Sequence, residues 1–294
     1  MSKIRKNGFR AWLLAMRPKT LPAAIVPVAV ATALAYRHET FQWQPAMLCF
    51  AFAGLMQIAS NLINDLYDFL KGTDGEDRLG PERACAQGWI TPQAMRLAIG
   101  INILLASIVG LGLLFWGGWE LVLVGVACIA GAFLYTLGLS YLGLGDLLVV
   151  LFFGFVPVLG SYYVQAGQLH SDAWWLGGAC GFAIDTLLVV NNFRDRETDR
   201  RAKKLTLIVR FGERFGERLY FLVGMLAMLL ALVGTYPNIP TTILALSPFL
   251  LLHTMTYRQM VNIGTGRQLN KILGLSARNI FVFGLSLVAV LLFA

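Results

Sequence analysis

The sequence predicts an all-α polytopic membrane protein of nine transmembrane helices, with the N-terminus in the cytoplasm. Three observations carry that expectation. Of 294 residues, 57% are hydrophobic and 14% charged, against roughly 25% charged in soluble domains. The apolar residues fall into runs near the length of about 20 residues that spans a bilayer. The basic residues gather in alternate connections, as the positive-inside rule requires. The runs read as one transmembrane domain over residues 1–294.

Taken in order, the runs cover roughly 20–36, 46–67, 97–116, 119–137, 146–165, 172–192, 219–236, 239–257 and 276–294. The first is short and carries Pro22 and Pro27, so its start reaches back toward Trp12. The second ends in an acidic cluster. Only Gly117 and Gly118 separate the third from the fourth. The fifth holds Gly154, Pro157 and Gly160, which permit kinks or close helix packing. The sixth runs into a second acidic cluster.

Charge tests this count. Six bases precede the first run (Lys3, Arg5, Lys6, Arg10, Arg17 and Lys19). Four follow the second, nine follow the sixth and four follow the eighth, which leaves Arg37 alone on the other side. Removing one span would invert a major basic loop. The formal charge of +8 is thus mostly topological, and suits anionic lipid and an anionic substrate. The bases sit in short loops without interleaved aromatics, so no nucleic-acid partner is expected. The N-terminal stretch is basic and polar, without the features of a cleaved signal peptide. Cys49, Cys85, Cys128 and Cys180 have no metal or redox spacing and read as small apolar fillers.

The two acidic clusters are Asn61-Leu62-Ile63-Asn64-Asp65-Leu66-Tyr67-Asp68 and Asn191-Asn192-Phe193-Arg194-Asp195-Arg196-Glu197-Thr198-Asp199. Each abuts a span at the same expected membrane face, so they form a weak internal repeat. Carboxylates there are costly to desolvate and are functional candidates by default. On a helix Asn61, Asp65 and Asp68 share one face, as do Asn191, Asp195 and Asp199. Facing rows of carboxylate and amide oxygens suit Mg²⁺, which is held by a few carboxylates together with substrate phosphates. The bland alternative is a helix end with solvated acids. It accounts for Asp74 and Asp77, beyond the helix-breaking Gly72, better than for Asp65. Around the second cluster, Arg194, Arg196, Arg200, Arg201, Lys203 and Lys204 suit either salt bridging or a diphosphate.

These and other segments resemble one known family. Arg17-Pro18-Lys19-Thr20-Leu21-Pro22, Ser60 to Asp65, Lys71-Gly72-Thr73-Asp74, Arg78-Leu79-Gly80-Pro81, Gly88-Trp89-Ile90-Thr91, Gly143-Leu144-Gly145-Asp146 and Asn191 through Leu207 are similar to the UbiA-type intramembrane prenyltransferases over nearly the whole chain. The Arg-Pro-Lys-Thr start and the Gly-Leu-Gly-Asp segment favour the branch that prenylates 1,4-dihydroxy-2-naphthoate. The resemblance implies nine transmembrane helices around a central cavity that opens sideways to lipid, a polyprenyl diphosphate donor, two Mg²⁺ ions, and transfer with decarboxylation to give demethylmenaquinone in a bacterial cytoplasmic membrane, with the site facing the cytoplasm. Carried over residue by residue, it places Asn64, Asp65, Asp68, Asn191, Asp195 and Asp199 at the metals, with Asp74 nearby. It places Lys71, Arg78, Lys204, Asn61 and Asn192 at the diphosphate. Asp146, Tyr67, Tyr135 and Tyr162 are candidates for the acceptor cavity, with Phe153 as a further aromatic shelter for a prenyl cation. His38, His170 and His253 receive no catalytic role.

Two departures stand out. The family usually has glycine where this chain has Lys203, and a small or apolar residue where it has Asp185. Two rival readings remain at this level. A sister enzyme taking 4-hydroxybenzoate, homogentisate or haem would share the same aspartates. A cation or small-molecule transporter would place its acids near the bilayer midplane rather than at one edge.

Overall fold

The computed structural model describes residues 4–72 and 78–294. Asp74, expected near the metals, lies outside them. Among the described residues there are α-helices, short 3₁₀ and π segments and no strand. Nine helices among the described residues are long and apolar enough to cross a membrane: α1 Phe9–Arg37, α2 Trp43–Leu70, α3 Pro92–Gly117, α4 Glu120–Leu137, α5 Gly145–Ala166, α6 Ser171–Arg201, α7 Glu213–Gly234, α8 Ile239–Ile263 and α9 Leu269–Phe293.

The number matches the sequence reading and the limits are longer. Apolar runs mark the part of a helix that lies in lipid, while the helix itself continues through polar residues that still favour it. The effect is largest in α6. It was expected over 172–192 with a loop beyond, yet it stays helical to Arg201 and carries the whole second cluster. The first span begins earlier, as its prolines suggested, and is broken. Arg17 takes a left-handed conformation (φ 51°) between the helix Phe9–Met16 and a 3₁₀ turn at Pro18–Thr20.

Helix α6 is the axis of the bundle. It is the most enclosed of the nine and packs against α5, α7 and α9. Small residues allow this. A Cβ on Gly154 of α5 would lie 2.5 Å from the Gly177 carbonyl oxygen and 2.5 Å from Gly181 Cα. The two backbones therefore touch directly, the close approach that small residues allow between membrane helices. A π-helical segment, Leu151–Phe155, surrounds that contact and precedes Pro157, which has no N–H to offer the preceding turn. By contrast α3 and α4 bury little of their own surface and display Leu104, Leu105, Leu123 and Val126 outward, the surface a bilayer would cover.

Candidate active site

Helices α2 and α6 run so that their C-terminal turns, with the two Asn/Asp clusters, meet at one end of the bundle. Between them and α1, α3, α4 and α5 lies a cavity of about 450 Å³. Asn61, Asn64 and Asn191 line its polar end. Its walls are apolar and include Phe52, Phe152, Phe153, Ile184 and Leu188, with the Tyr135 ring among them. The cavity is thus a hydrocarbon-lined chamber with asparagine amides at one end and no carboxylate on its wall among the described residues.

Each acid has a specific partner. Asp65 is almost wholly buried, and its two oxygens accept the backbone N–H groups of Ala84 (2.8 Å) and Cys85 (2.9 Å). Asp68, three residues on, is paired with Arg83 at 2.9 Å. The connection after α2 therefore folds back over the cluster and is held there by both aspartates. Asp195 receives a two-pronged grip from its neighbour Arg194, at 2.7 and 2.5 Å. The buried Arg194 guanidinium also donates to Asn270 Oδ1 at 2.8 Å, and Asn270 donates to the Leu79 carbonyl at 2.8 Å. A Cβ on Gly80 would sit 2.8 Å from Arg194 Nη2, so a larger residue there would have to displace the guanidinium. Asp199 faces Lys204 Nζ at 3.5 Å, and its Oδ2 is buried with no hydrogen-bond partner among the described residues.

Several expected residues land elsewhere. Asp65, expected as a metal ligand, faces the 84–85 turn and serves as its anchor. Lys71, expected at the diphosphate, donates to the carbonyls of Thr136 (2.8 Å) and Leu137 (2.9 Å) and lies over the Tyr141 ring. It caps the exposed carbonyls at the end of α4, where a cation is favoured. Asn61 lines the cavity, but its amide donates to Met16 O and Thr20 Oγ1, tying the broken first span to α2. Asn192 is buried and absent from the cavity wall. Tyr67 packs edge-on against Phe133. Tyr162 is at the opposite end of the bundle, where its hydroxyl meets His38. Arg78 donates to the Pro81 carbonyl within the strap. Tyr135 and Phe153 do face the cavity. Next to Tyr135, across Gly145, is Asp146, whose two oxygens are buried without a partner among the described residues. Asp185 is buried in α6 within electrostatic reach of Asp146 and also has an unmatched oxygen.

Sequence reasoning missed Arg83 and Asn270 as parts of the site. Neither lies in a motif, and Asn270 is about 190 residues from Leu79, which it holds. The Lys203 departure is explained by the backbone. Its φ is +56°, a conformation that glycine adopts without cost and lysine does not.

A family model described as the UbiA prenyltransferase family matches residues 24–271. The chain belongs to the UbiA prenyltransferase family. It is 42% identical to a 1,4-dihydroxy-2-naphthoate octaprenyltransferase of Escherichia coli strain K12, covering 78% of either chain. It is 42% identical to the enzyme of the same name from Mycobacterium tuberculosis, covering 75% of this chain and 76% of that one. The structure of a UbiA homologue from Archaeoglobus fulgidus bound to GPP and Mg²⁺ superimposes with a TM-score of 0.63 at 14% identity, over 95% of this chain and 99% of that one. At that identity the likeness is one of fold.

Proposed function

We propose that this protein transfers a polyprenyl group from a polyprenyl diphosphate to 1,4-dihydroxy-2-naphthoate, with loss of CO₂, in the bacterial cytoplasmic membrane. One observation carries the reading. An apolar chamber ends in asparagines from two Asn/Asp clusters whose aspartates are paired with cations, in a chain 42% identical to 1,4-dihydroxy-2-naphthoate octaprenyltransferases.

The donor set fits a hard divalent cation. It consists of amide and carboxylate oxygens, and Asp199 keeps one oxygen buried and unmatched, a poor state for a carboxylate unless a cation completes it. Asn64, Asp68, Asn191, Asp195 and Asp199 are the residues we assign to hold Mg²⁺, two ions in all, with Asp65 fixing the strap beside them. Bound Mg²⁺ would neutralise charge on the departing diphosphate.

The chain's own groups supply the rest. Arg83, Arg194 and Lys204 pair with the acids, and we assign them to neutralise the diphosphate once Mg²⁺ takes over those carboxylates. Arg78 belongs to the same strap. As the allylic C–O bond breaks, the electron pair leaves with diphosphate and the prenyl carbon becomes cationic. The hydrocarbon wall keeps water from that carbon, and the faces of Tyr135 and Phe153 offer it π density. The acceptor ring forms the new C–C bond at the carbon that bears the carboxylate. Departure of CO₂ returns the C–C bonding pair to the ring and restores aromaticity, which yields the demethylmenaquinone skeleton. We assign Asp146, buried beside Tyr135 behind the cavity wall, as the acceptor of a hydrogen bond from the aromatic substrate's hydroxyl; its two unmatched oxygens support this.

The test is a membrane assay with Mg²⁺, a polyprenyl diphosphate and the dihydroxynaphthoate, read by mass spectrometry of the quinone fraction. A prenylated, decarboxylated naphthoquinone, absent when EDTA is added, is expected. Product with 4-hydroxybenzoate and none with the naphthoate would overturn the acceptor. Full turnover in EDTA would overturn the metal.

A further inference from the structure

At the end of the bundle away from the aspartates, three potential ligands from two helices converge. His38 follows the last residue of α1. His170 caps the N-terminus of α6, and Asp172 lies in its first turn. One ligand atom from each of the three lies within 4.8 Å of the others. Asp172 Oδ2 is 3.5 Å from His38 Nε2 and 3.3 Å from His170 Nδ1. The two imidazoles meet edge to face, 4.7 Å between centroids. Along α6, Asp172 is 23 residues from Asp195, about 35 Å at 1.5 Å per residue, so this group is independent of the catalytic end.

The arrangement has the parts of a built metal site. The buried Tyr162 hydroxyl from α5 lies 2.7 Å from His38 Nδ1. A partner on one ring nitrogen fixes the imidazole and turns the other toward a metal, the usual outer-shell device of histidine ligands. Here that other nitrogen, Nε2, faces Asp172. His38 and Asp172 are both about three-quarters enclosed at their side chains, so their orientation is set by packing.

The geometry points to a zinc-class divalent metal site made by His38, His170 and Asp172, with Tyr162 orienting His38. Two imidazoles and one carboxylate suit Zn²⁺ and leave a coordination position for water; Mg²⁺ prefers all-oxygen surroundings. The site joins the end of α1 to the start of α6 beside α5. A second tie lies there already, the Gln42 amide donating to the Gln165 carbonyl at 2.9 Å. Since α1, α5 and α6 all wall the chamber, the metal acts as a clamp on its far end, with no part in prenyl transfer.

The test uses the full chain in detergent, any affinity tag removed, stripped with chelator and refilled with excess Mg²⁺ so that the aspartate end is occupied. Zn²⁺ is then titrated, with bound metal and melting temperature as readouts. One Zn²⁺ per chain and a raised melting temperature are expected. Both are lost in Asp172→Asn and in His170→Ala, whose side chain is half exposed and contributes little to packing. Tyr162→Phe weakens zinc binding roughly tenfold, while Asp68→Asn leaves it intact. Prenyl transfer by His170→Ala, measured with Mg²⁺ alone, equals wild type. Equal zinc binding by wild type, His170→Ala and Asp172→Asn, or no zinc held by wild type, would overturn the inference.

Discussion

Asp65 separates two readings of the first cluster. As a metal ligand, its replacement by asparagine would remove a charge from the ion and leave the protein intact. As an anchor, it accepts two buried backbone N–H groups at 2.8 and 2.9 Å. Asparagine keeps one acceptor oxygen and turns an NH₂ donor toward the other N–H. One charge-assisted bond is lost, the second is weakened, and one amide is left facing a donor. Bonds to charged groups contribute about 1.5–3 kcal/mol, and a buried unsatisfied donor costs about 1–3 kcal/mol. The expected destabilisation is therefore about 3 kcal/mol, concentrated in the strap rather than spread over the bundle. Hydrogen exchange of the detergent-solubilised protein should show residues 78–90 exchanging about 100-fold faster in Asp65→Asn, with the interior of α6 unchanged. Asp195→Asn should leave the 84–85 amides protected. Wild-type protection of those amides in Asp65→Asn, together with weakened Mg²⁺ binding, would refute the anchor and restore Asp65 to the metal.

Other substitutions test other parts. Lys71→Ala should lower the melting temperature through loss of the α4 cap, about 1 kcal/mol, with KM for the polyprenyl diphosphate within twofold of wild type; a tenfold rise in KM would put Lys71 at the diphosphate. Gly154→Val places a side chain where a Cβ already lies 2.5 Å from α6 backbone, so folded protein recovered by size-exclusion chromatography should fall sharply, whereas Gly160→Ala, with open space around it, should behave as wild type. Asp146→Asn should raise KM for the aromatic acceptor roughly tenfold, the loss of one hydrogen bond to a charged group, and leave KM for the donor unchanged; equal changes in both would place Asp146 elsewhere.

The number of spans was legible because apolar run length reports on the thickness of the bilayer itself. Helix ends were less so, since Asn191 to Arg201 continues α6 with residues that are polar and helix-compatible. Motif residues could be placed on the correct helix faces from spacing alone, which is why Asn64 and Asn191 meet at the cavity mouth. Spacing says nothing of which oxygen meets which donor. Asp65 and Asp68 differ by a three-residue step, yet one holds backbone amides and the other a guanidinium. That outcome depends on a return loop whose path is set by Arg194 and Asn270, far away in sequence. Lys203 is the opposite case: the departure was visible in the sequence, and a single positive φ gives it meaning.

Helices α3 and α4 form one wall of the chamber while keeping most of their surface outside the protein. Both helices pack on α2 along one face and leave the other to lipid, so the bilayer bears directly on that wall. Bilayer thickness changes the cost of each helix's fit by fractions of a kcal/mol per Å, and that cost falls on the wall rather than on the axis. Acyl-chain length is then a control variable for this protein in the way that temperature is for a soluble one. Turnover rates from detergent and from membranes of different thickness belong to differently shaped chambers.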